Sequence, residues 1–179
     1  MKLWDVEARA ARVDEVLGQA PVLPVLSVAN LDDAVPLARA LVENGLPVLE
    51  LTLRTDVALA AIHAIRHQVP GAIIGAGTVL DANALSAAAE AGAQFAISPG
   101  ATDALYAAAE QALLPWIPAV ATASDIMRGL EHGHRRFKFF PAESSGGVAA
   151  LKAFAGPLAN VRFCPTGGID AGSASRYLS

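Results

Sequence analysis

Short apolar segments alternate with amphipathic segments along the whole chain. The apolar segments predict seven strands, at 21–28, 48–53, 72–79, 95–98, 116–121, 137–140 and 161–165. The amphipathic segments between them predict helices at 2–18, 32–44, 56–69, 81–91, 102–113, 124–132, 147–155 and 170–178. Glycine follows most of these helical patterns, as expected where a helix ends.

This alternation predicts a parallel α/β fold, because parallel strands need helical crossovers. The strands recur every 20 to 25 residues or so. An open doubly wound sheet and a (β/α)₈ TIM barrel both fit alternation, but the short, regular spacing favours the barrel, here with an extra N-terminal helix. Gly75-Ala76-Gly77 lacks the third glycine of a dinucleotide-binding motif and is a weak signal for one.

A closed barrel of this kind needs eight strands, whereas the pattern provides seven. We therefore expect residues 1–179 to form a single barrel domain from which the eighth strand, on the C-terminal side, is missing.

Composition narrows the class of protein. Hydrophobic residues make up 54% and charged residues 17% of the chain, which suits strands that are buried on both faces. A net charge of −4 and the lack of a basic block argue against a nucleic-acid partner. The longest uncharged stretch, 16–31, contains Gly18, Pro21 and Pro24 and does not predict a membrane segment. We expect a cytoplasmic protein, and Cys164, the only cysteine, as a small core residue.

Lys138 lies in a run of phenylalanines that predicts a strand. Alternation places Lys138 and Phe140 on one face, and Phe137 and Phe139 on the other. A lysine exposed on an edge strand is the ordinary alternative. Inside a barrel, by contrast, a lysine amine is desolvated and easier to deprotonate, and a nearby cation such as Arg54 adds to this effect. Such a lysine is a nucleophile for carbonyl substrates.

The second predicted strand carries a polar face. Glu50, Thr52 and Arg54 share one side of it, and three leucines share the other. Polar groups in a barrel interior are costly unless they are paired, so this face implies a site. A structural ion pair between Glu50 and Arg54 is the alternative.

Several chemically useful residues fall at the C-terminal ends of predicted strands, where barrels place their catalytic groups. Those residues are Arg54, Thr78, Ser98, Phe140 and Thr166. Gly167-Gly168 follows the seventh strand, where backbone N–H groups can hold a phosphate. The other glycine pair, in Ser145-Gly146-Gly147, predicts an ordinary helix N-cap.

The histidines give weaker signals. His63 and His67 lie four apart on one predicted helix, but no third ligand accompanies them, so we expect both to face solvent and predict no metal site. His132 and His134 flank Gly133 at the end of a helix, where positive charge is favourable.

Five sequence blocks resemble the bacterial 2-keto-3-deoxy-6-phosphogluconate (KDPG) aldolase family, which includes the 4-hydroxy-2-oxoglutarate aldolases. The blocks are 48–55, 75–79, 94–100, 137–143 and 162–169, in order along nearly the whole chain. The resemblance implies a metal-independent class I aldolase, a lyase without cofactor, on a (β/α)₈ barrel. It also implies a homotrimer that cleaves KDPG into pyruvate and glyceraldehyde 3-phosphate in the Entner–Doudoroff pathway.

The resemblance assigns roles residue by residue. Lys138 matches the Schiff-base lysine, and Glu50 matches the general acid/base that moves protons at the reacting centre. The remaining matches bind substrate: Arg54 and Thr78 at the carboxylate, Pro99 and Phe140 as pocket walls, and Thr166, Gly167 and Gly168 in the phosphate site.

Other functions stay open. Residues 118–122 differ from the glycine- and serine-containing version expected in the family, which could alter the substrate range. An aldolase for 4-hydroxy-2-oxoglutarate, or for the galactonate epimer of KDPG, would use the same mechanism. From other classes, a non-catalytic barrel that binds 2-oxoacids or sugar phosphates and a phosphate-binding isomerase are alternatives. The presence of Lys138 with Glu50 argues against both.

Overall fold

Parallel strands alternate with helices throughout residues 5–178, the part of the chain that this computed structural model describes. The strands are β1 Val25–Leu26, β2 Val48–Thr52, β3 Ile73–Gly77, β4 Ala96–Ile97, β5 Trp116–Ile117, β6 Ala119–Val120, β7 Arg136–Phe139 and β8 Arg162–Pro165. The α-helices are α1 Val6–Leu17, α2 Ala34–Glu43, α3 Ala58–Gln68, α4 Ala82–Glu90, α5 Asp103–Gln111, α6 Ala123–Glu131, α7 Gly147–Ala155 and α8 Ala174–Tyr177. Within residues 5–178, no helix has the length and apolar character needed to cross a membrane.

Every pair of neighbouring strands is parallel, as the alternation predicts. Strands β1 to β5 form one sheet in chain order, and β6 to β8 form a second. β5 and β6 are two parts of the single predicted strand 116–121. Pro118 divides them, since proline has no N–H to give to a strand ladder. The seven passes of the chain thus correspond to the seven predicted strands.

The strands curl so that the first and last face each other across a groove. Residues in and beside β1, such as Leu23 and Val25, and residues of β8, such as Cys164, line this groove of about 600 Å³. In residues 5–178, β1 pairs only with β2, and β8 pairs only with β7. The eighth strand that the barrel requires between them stays a prediction.

The two faces of the strands pack against different partners. On the outer face, Leu49, Leu51 and Trp116 belong to the apolar cluster formed with the surrounding helices. On the inner face, a second cluster fills the N-terminal end of the barrel beneath α1. Its fully packed members are Val13, Val16, Val48, Phe95, Ile97 and Ile117. Helix α1 therefore plugs this end, and the residues further along each strand are left to form the interior above the plug.

Three differences between the structure and the sequence pattern have a clear physical reason. The first strand is only two residues long, because Pro21 and Pro24 lack the N–H groups that a longer ladder would need. The last helix begins at Ala174, after a turn in which Ser173 N–H donates to Asp170 Oδ1. Helix α7 has Gly146 as its N-cap, with no side-chain hydrogen bond, so Ser145 does not cap it. The start of the predicted first helix, before residue 5, lies outside the described residues.

Candidate active site

Lys138 and Glu50 meet inside the barrel. Glu50 projects inward from β2 and Lys138 from β7, and 88 residues of sequence separate them. The Lys138 Nζ lies 3.3 Å from Glu50 Oε1, and the two residues are 6% and 1% exposed, respectively. The alternative of an exposed strand lysine is therefore wrong. The alternative of a structural ion pair between Glu50 and Arg54 is also wrong, because Glu50 pairs with Lys138.

Two opposing effects act on the pKa of the Glu50 carboxyl. Burial raises its pKa, because the charged form loses hydration, while the charges of Lys138 and Arg54 oppose that rise. Oε1 contacts Lys138, whereas Oε2 is buried and has no hydrogen-bond partner among the described residues. An unpartnered buried oxygen is destabilising unless a ligand or water satisfies it. Oε2 is therefore placed to exchange a proton with a bound molecule while Oε1 stays on the lysine.

Phe140 forms a wall beside the lysine. Its ring centre lies 5.1 Å from Lys138 Nζ, within the range of a cation–π contact. Phe140 also lines a cavity of about 120 Å³ together with Pro99, Gly100 and Ala121. The two residues predicted as pocket walls are thus brought together at the C-terminal end of the strands.

Thr78, directly after β3, has an unusual backbone conformation. Its φ is +61°, the only positive φ of a non-glycine residue in the described part of the chain. A β-branched residue is strained in this region by about 1–2 kcal/mol, and such strain persists only where the surrounding structure imposes it. Arg54, which follows the neighbouring strand β2, is exposed, yet its charge reaches Glu50. Both predicted carboxylate-binding residues therefore follow adjacent strands at one edge of the sheet.

The predicted phosphate loop is tied to the segment that follows Lys138. Gly167 and Gly168 have φ values of +107° and +76°, which favour glycine. The N–H of Ala142 donates to Thr166 O at 2.8 Å, and that of Glu143 donates to Gly167 O at 3.0 Å. Thr166 and Gly167 line the large groove beside β8, which neither Lys138 nor Glu50 lines. Backbone hydrogen bonds thus join the loop to the segment that follows Lys138.

Cys164 is nearer to the site than its sequence context indicates. It is the register partner of Lys138 across β7 and β8, so both side chains lie on the inner face. Burial raises the pKa of its thiol to about 11, and the charge of Glu50 adds to the rise while Lys138 opposes it. The thiol thus stays protonated beside the pair. The sequence contained one sign of this position: Cys164 lies two residues before Thr166, so the two side chains share one face of the strand.

Known proteins share the sequence and the fold of this chain. A family model described as KDPG and KHG aldolase matches residues 13–179. The chain belongs to the KDPG and KHG aldolase family. The KHG/KDPG aldolase of Escherichia coli (strain K12) is 51% identical over all 179 residues, which cover 82% of that relative.

Two solved structures are similar in fold as well as in sequence. The KDPG aldolase of Zymomonas mobilis ZM4, with 3-phosphoglycerate, is 52% identical with a TM-score of 0.89, over 92% of this chain and 78% of that one. The KDPG aldolase of Legionella pneumophila, with pyruvate captured as a covalent carbinolamine intermediate, is 46% identical with a TM-score of 0.89, over 91% of this chain and 79% of that one.

Family membership confirms the resemblance of the five sequence blocks, the TIM-barrel-like fold and the enzyme class, an aldolase and hence a lyase.

Proposed function

We propose that this aldolase cleaves KDPG into pyruvate and glyceraldehyde 3-phosphate through a Schiff base on Lys138. The observation that carries the proposal is the buried contact of 3.3 Å between Lys138 Nζ and Glu50 Oε1. It sets a nucleophilic amine beside a carboxyl whose pKa is raised by burial, in the interior of a barrel. The match to relatives named KDPG aldolase supports this choice of substrate.

The first half of the reaction forms the imine. Proton transfer from the Lys138 ammonium to the Glu50 carboxylate leaves a neutral amine, which attacks the C2 carbonyl of the substrate and gives a carbinolamine. Glu50 then donates a proton to the departing hydroxyl, water leaves, and a protonated imine remains. The carbinolamine named for the Legionella pneumophila relative supports this step.

The second half breaks the bond between C3 and C4. Glu50, now a carboxylate, accepts the proton of the C4 hydroxyl as the C3–C4 electron pair moves into the imine. The aldehyde leaves, and an enamine of pyruvate stays on Lys138. Return of the proton from Glu50 to C3, followed by addition of water at C2, releases pyruvate and the free lysine.

The remaining residues are assigned to the two ends of the substrate. Arg54 and Thr78 bind the carboxylate, and Pro99 and Phe140 enclose the carbon chain. We assign the phosphate to the loop at the other end, Thr166-Gly167-Gly168, because the positive φ values of its two glycines suit a glycine-rich loop whose backbone N–H groups can bind an anion. The Zymomonas mobilis relative crystallised with 3-phosphoglycerate supports a phosphate site in this family.

Borohydride trapping tests the Schiff base. Incubation with pyruvate and borohydride should leave a reduced adduct, which peptide mass spectrometry should locate on Lys138 rather than on Lys152. A folded protein with no adduct would instead be the non-catalytic binding barrel.

The nearest other function keeps the mechanism and changes the aldehyde. The family description and the name of the Escherichia coli relative include KHG, which is 2-keto-4-hydroxyglutarate, another name for 4-hydroxy-2-oxoglutarate. Steady-state cleavage of KDPG, its galactonate epimer and 4-hydroxy-2-oxoglutarate should give the highest kcat/KM for KDPG. A higher value for either of the others would replace KDPG as the substrate.

A cytoplasmic homotrimer completes the proposal, on the basis of the family resemblance. Light scattering should then give a mass about three times the 18.4 kDa of the chain. A monomer mass would remove the trimer and leave the chemistry untouched.

A further inference from the structure

Two glycines of β3 share the inner face of the barrel beside Glu50. In the register of β2 and β3, Glu50 is opposite Gly75, and Thr52 is opposite Gly77. The Glu50 side chain nevertheless lies close to Gly77, one pair further along the strand. It therefore leans toward the C-terminal end of the barrel, where the substrate is expected.

The space at Gly77 is occupied by the Glu50 carboxyl group. A Cβ atom added at Gly77 would lie 2.2 Å from Glu50 Oε1, 2.7 Å from Cγ and 2.8 Å from Cδ. Side-chain packing does not allow such distances, so one of the two groups must move. Gly77 lies in a regular strand and does not have a positive φ. Its backbone therefore does not require glycine, and the need for space is what singles it out.

The oxygen that this Cβ would displace is the one that contacts Lys138. Oε1 is both 3.3 Å from Lys138 Nζ and the atom nearest to the added Cβ. We propose that Gly77 is a positioning residue, which by having no side chain lets Glu50 keep its carboxylate against the Schiff-base lysine. This inference rests on the proposed function. It also gives a reason for the glycine at position 77, which a dinucleotide-binding motif does not provide because the third glycine of that motif is missing.

Gly75 provides a matched control on the same strand face. A Cβ at Gly75 would lie 2.3 to 2.5 Å from the ring of Phe95, which is fully buried in the apolar plug. A rigid ring in a packed cluster cannot move aside cheaply, so Gly75→Ala should lower stability. The Glu50 carboxyl is the end of a flexible chain, so Gly77→Ala should shift the carboxyl and largely spare the fold.

The test compares Gly77→Ala with Gly75→Ala in cleavage rate and thermal unfolding. Gly77→Ala should lower kcat by about 10²-fold, the order expected when a catalytic group is misplaced by about 1 Å. Its midpoint of unfolding should fall less than that of Gly75→Ala, whose kcat per folded molecule should stay near normal. A Gly77→Ala enzyme with unchanged kcat and an unchanged pH profile would overturn the proposal.

A second substitution separates a positioning role from a structural one. Aspartate is one methylene shorter than glutamate, so Glu50→Asp should cost activity when Gly77 is retained but little further activity when it is combined with Gly77→Ala. Two losses that simply multiply would contradict the proposal. If the Gly77→Ala variant does not fold, adding Glu50→Asp to it should restore folding. A double variant that still does not fold would refute the clash with Glu50.

One readout does not depend on catalysis. A ¹³C NMR titration of the Glu50 carboxyl, assigned by its loss in Glu50→Gln, should give a higher pKa in Gly77→Ala than in the unmodified protein, because the carboxylate loses the charge of Lys138. An unchanged pKa would defeat the inference about Gly77. Absence of a pyruvate adduct in the unmodified protein would defeat the proposed function instead, so the two failures are distinguishable.

Discussion

The barrel buries ionisable side chains at two levels, with opposite consequences. In the interior, Glu50 and Lys138 form a pair of opposite charge above the apolar plug. Near the N-terminal end, where α1 packs, Arg9 and His134 are 7% and 2% exposed. These two groups would carry the same charge if His134 were protonated. In the first arrangement burial raises the pKa of Glu50 while the charge of Lys138 opposes the rise, whereas in the second both burial and the charge of Arg9 lower the pKa of His134.

The environment of His134 explains this exclusion. Burial, with the charges of Arg9 and His132, lowers its pKa to about 3, and Nε2 has no hydrogen-bond partner among the described residues. The rings of Tyr106 and Trp116 meet it edge-on at 5.4 and 5.3 Å. Arg9 is satisfied separately, since its Nη1 donates to His132 O at 2.8 Å. The prediction that a positive charge is favourable at this helix end is therefore wrong for His134, which is a neutral side chain packed between aromatic rings.

The comparison shows that burial and a shifted pKa do not by themselves mark an active site. Glu50 has a charged partner on one oxygen and none among the described residues on the other, and it lies near the strand-end residues that we propose bind the substrate. His134 has aromatic rings around it and lies at the end of the barrel that stabilises the fold. The partner and the position, rather than the depth of burial, separate the two roles.

Removal of the lysine should have the largest effect. We expect Lys138→Ala to abolish KDPG cleavage, because no other group there can form the imine, and to preserve the fold, because Glu50, once it has lost its charged partner, can take up a proton and be buried as a neutral acid. Coupled detection of pyruvate checks activity, and thermal unfolding checks the fold. Lys152→Ala, on the exposed face of α7, should keep full activity. A large loss of stability in Lys138→Ala would instead assign Lys138 a structural role.

Loss of the acid/base should be the next largest effect. Glu50→Gln keeps the shape of the side chain but cannot transfer a proton, so kcat should fall by about 10²–10⁴-fold. The rate of imine formation with pyruvate, measured by stopped flow, should fall as well. Glu131→Gln, at the exposed end of α6, is the control. Near-normal turnover of Glu50→Gln would remove Glu50 from the mechanism.

The stability of the protein in acid should depend on His134, the buried group near the N-terminal end of the barrel. The pKa of His134 is about 3 in the folded state against 6.5 as the ordinary value, so protonation favours unfolding. Its contribution to stability is complete above pH 6.5 and is lost as the pH falls from 6.5 toward 3, by up to about 4 kcal/mol.

Urea unfolding at pH 7 and pH 4 would measure this loss. His134→Gln should show a smaller drop between the two pH values than the unmodified protein, and exposed His63→Gln should show the same drop as the unmodified protein. Equal drops for His134→Gln and the unmodified protein would mean that His134 is not the acid-sensitive group.

The smallest effect should come from the ion pair that fastens α1. Arg136 Nε and Nη2 lie 2.5 and 2.7 Å from the two carboxylate oxygens of Asp14. The Asp14 side chain is 48% exposed, so Asp14→Ala should lower the free energy of unfolding by only about 1 kcal/mol and leave kcat unchanged. Arg12→Ala, which breaks a more exposed pair with Glu15, should have less effect still. A clear fall in kcat for Asp14→Ala would show that the plug and the active site are coupled.

Much of this architecture was predictable from local pattern. The alternation in 48–53 placed Glu50 inward, and that in 137–140 separated Lys138 from the phenylalanines that pack against the helices. Proline and glycine positions located most strand and helix ends. The first strand and the last helix came out shorter than predicted, because hydrophobic pattern does not register missing N–H donors or a competing side-chain turn such as that of Asp170 and Ser173.

The sequence by itself determined the order of the elements, their parallel arrangement, the family and the inward face of Lys138, since these follow from periodicity, glycine and proline positions and short motifs. Only the tertiary structure decided that Glu50 contacts Lys138 rather than Arg54, and that Gly77 gives its carboxyl room while Gly75 gives room to Phe95. The reason is physical. The contact between Glu50 and Lys138 joins strands whose residues are 88 positions apart, and the two glycine contacts depend on how side chains lean along neighbouring strands, which no local pattern encodes.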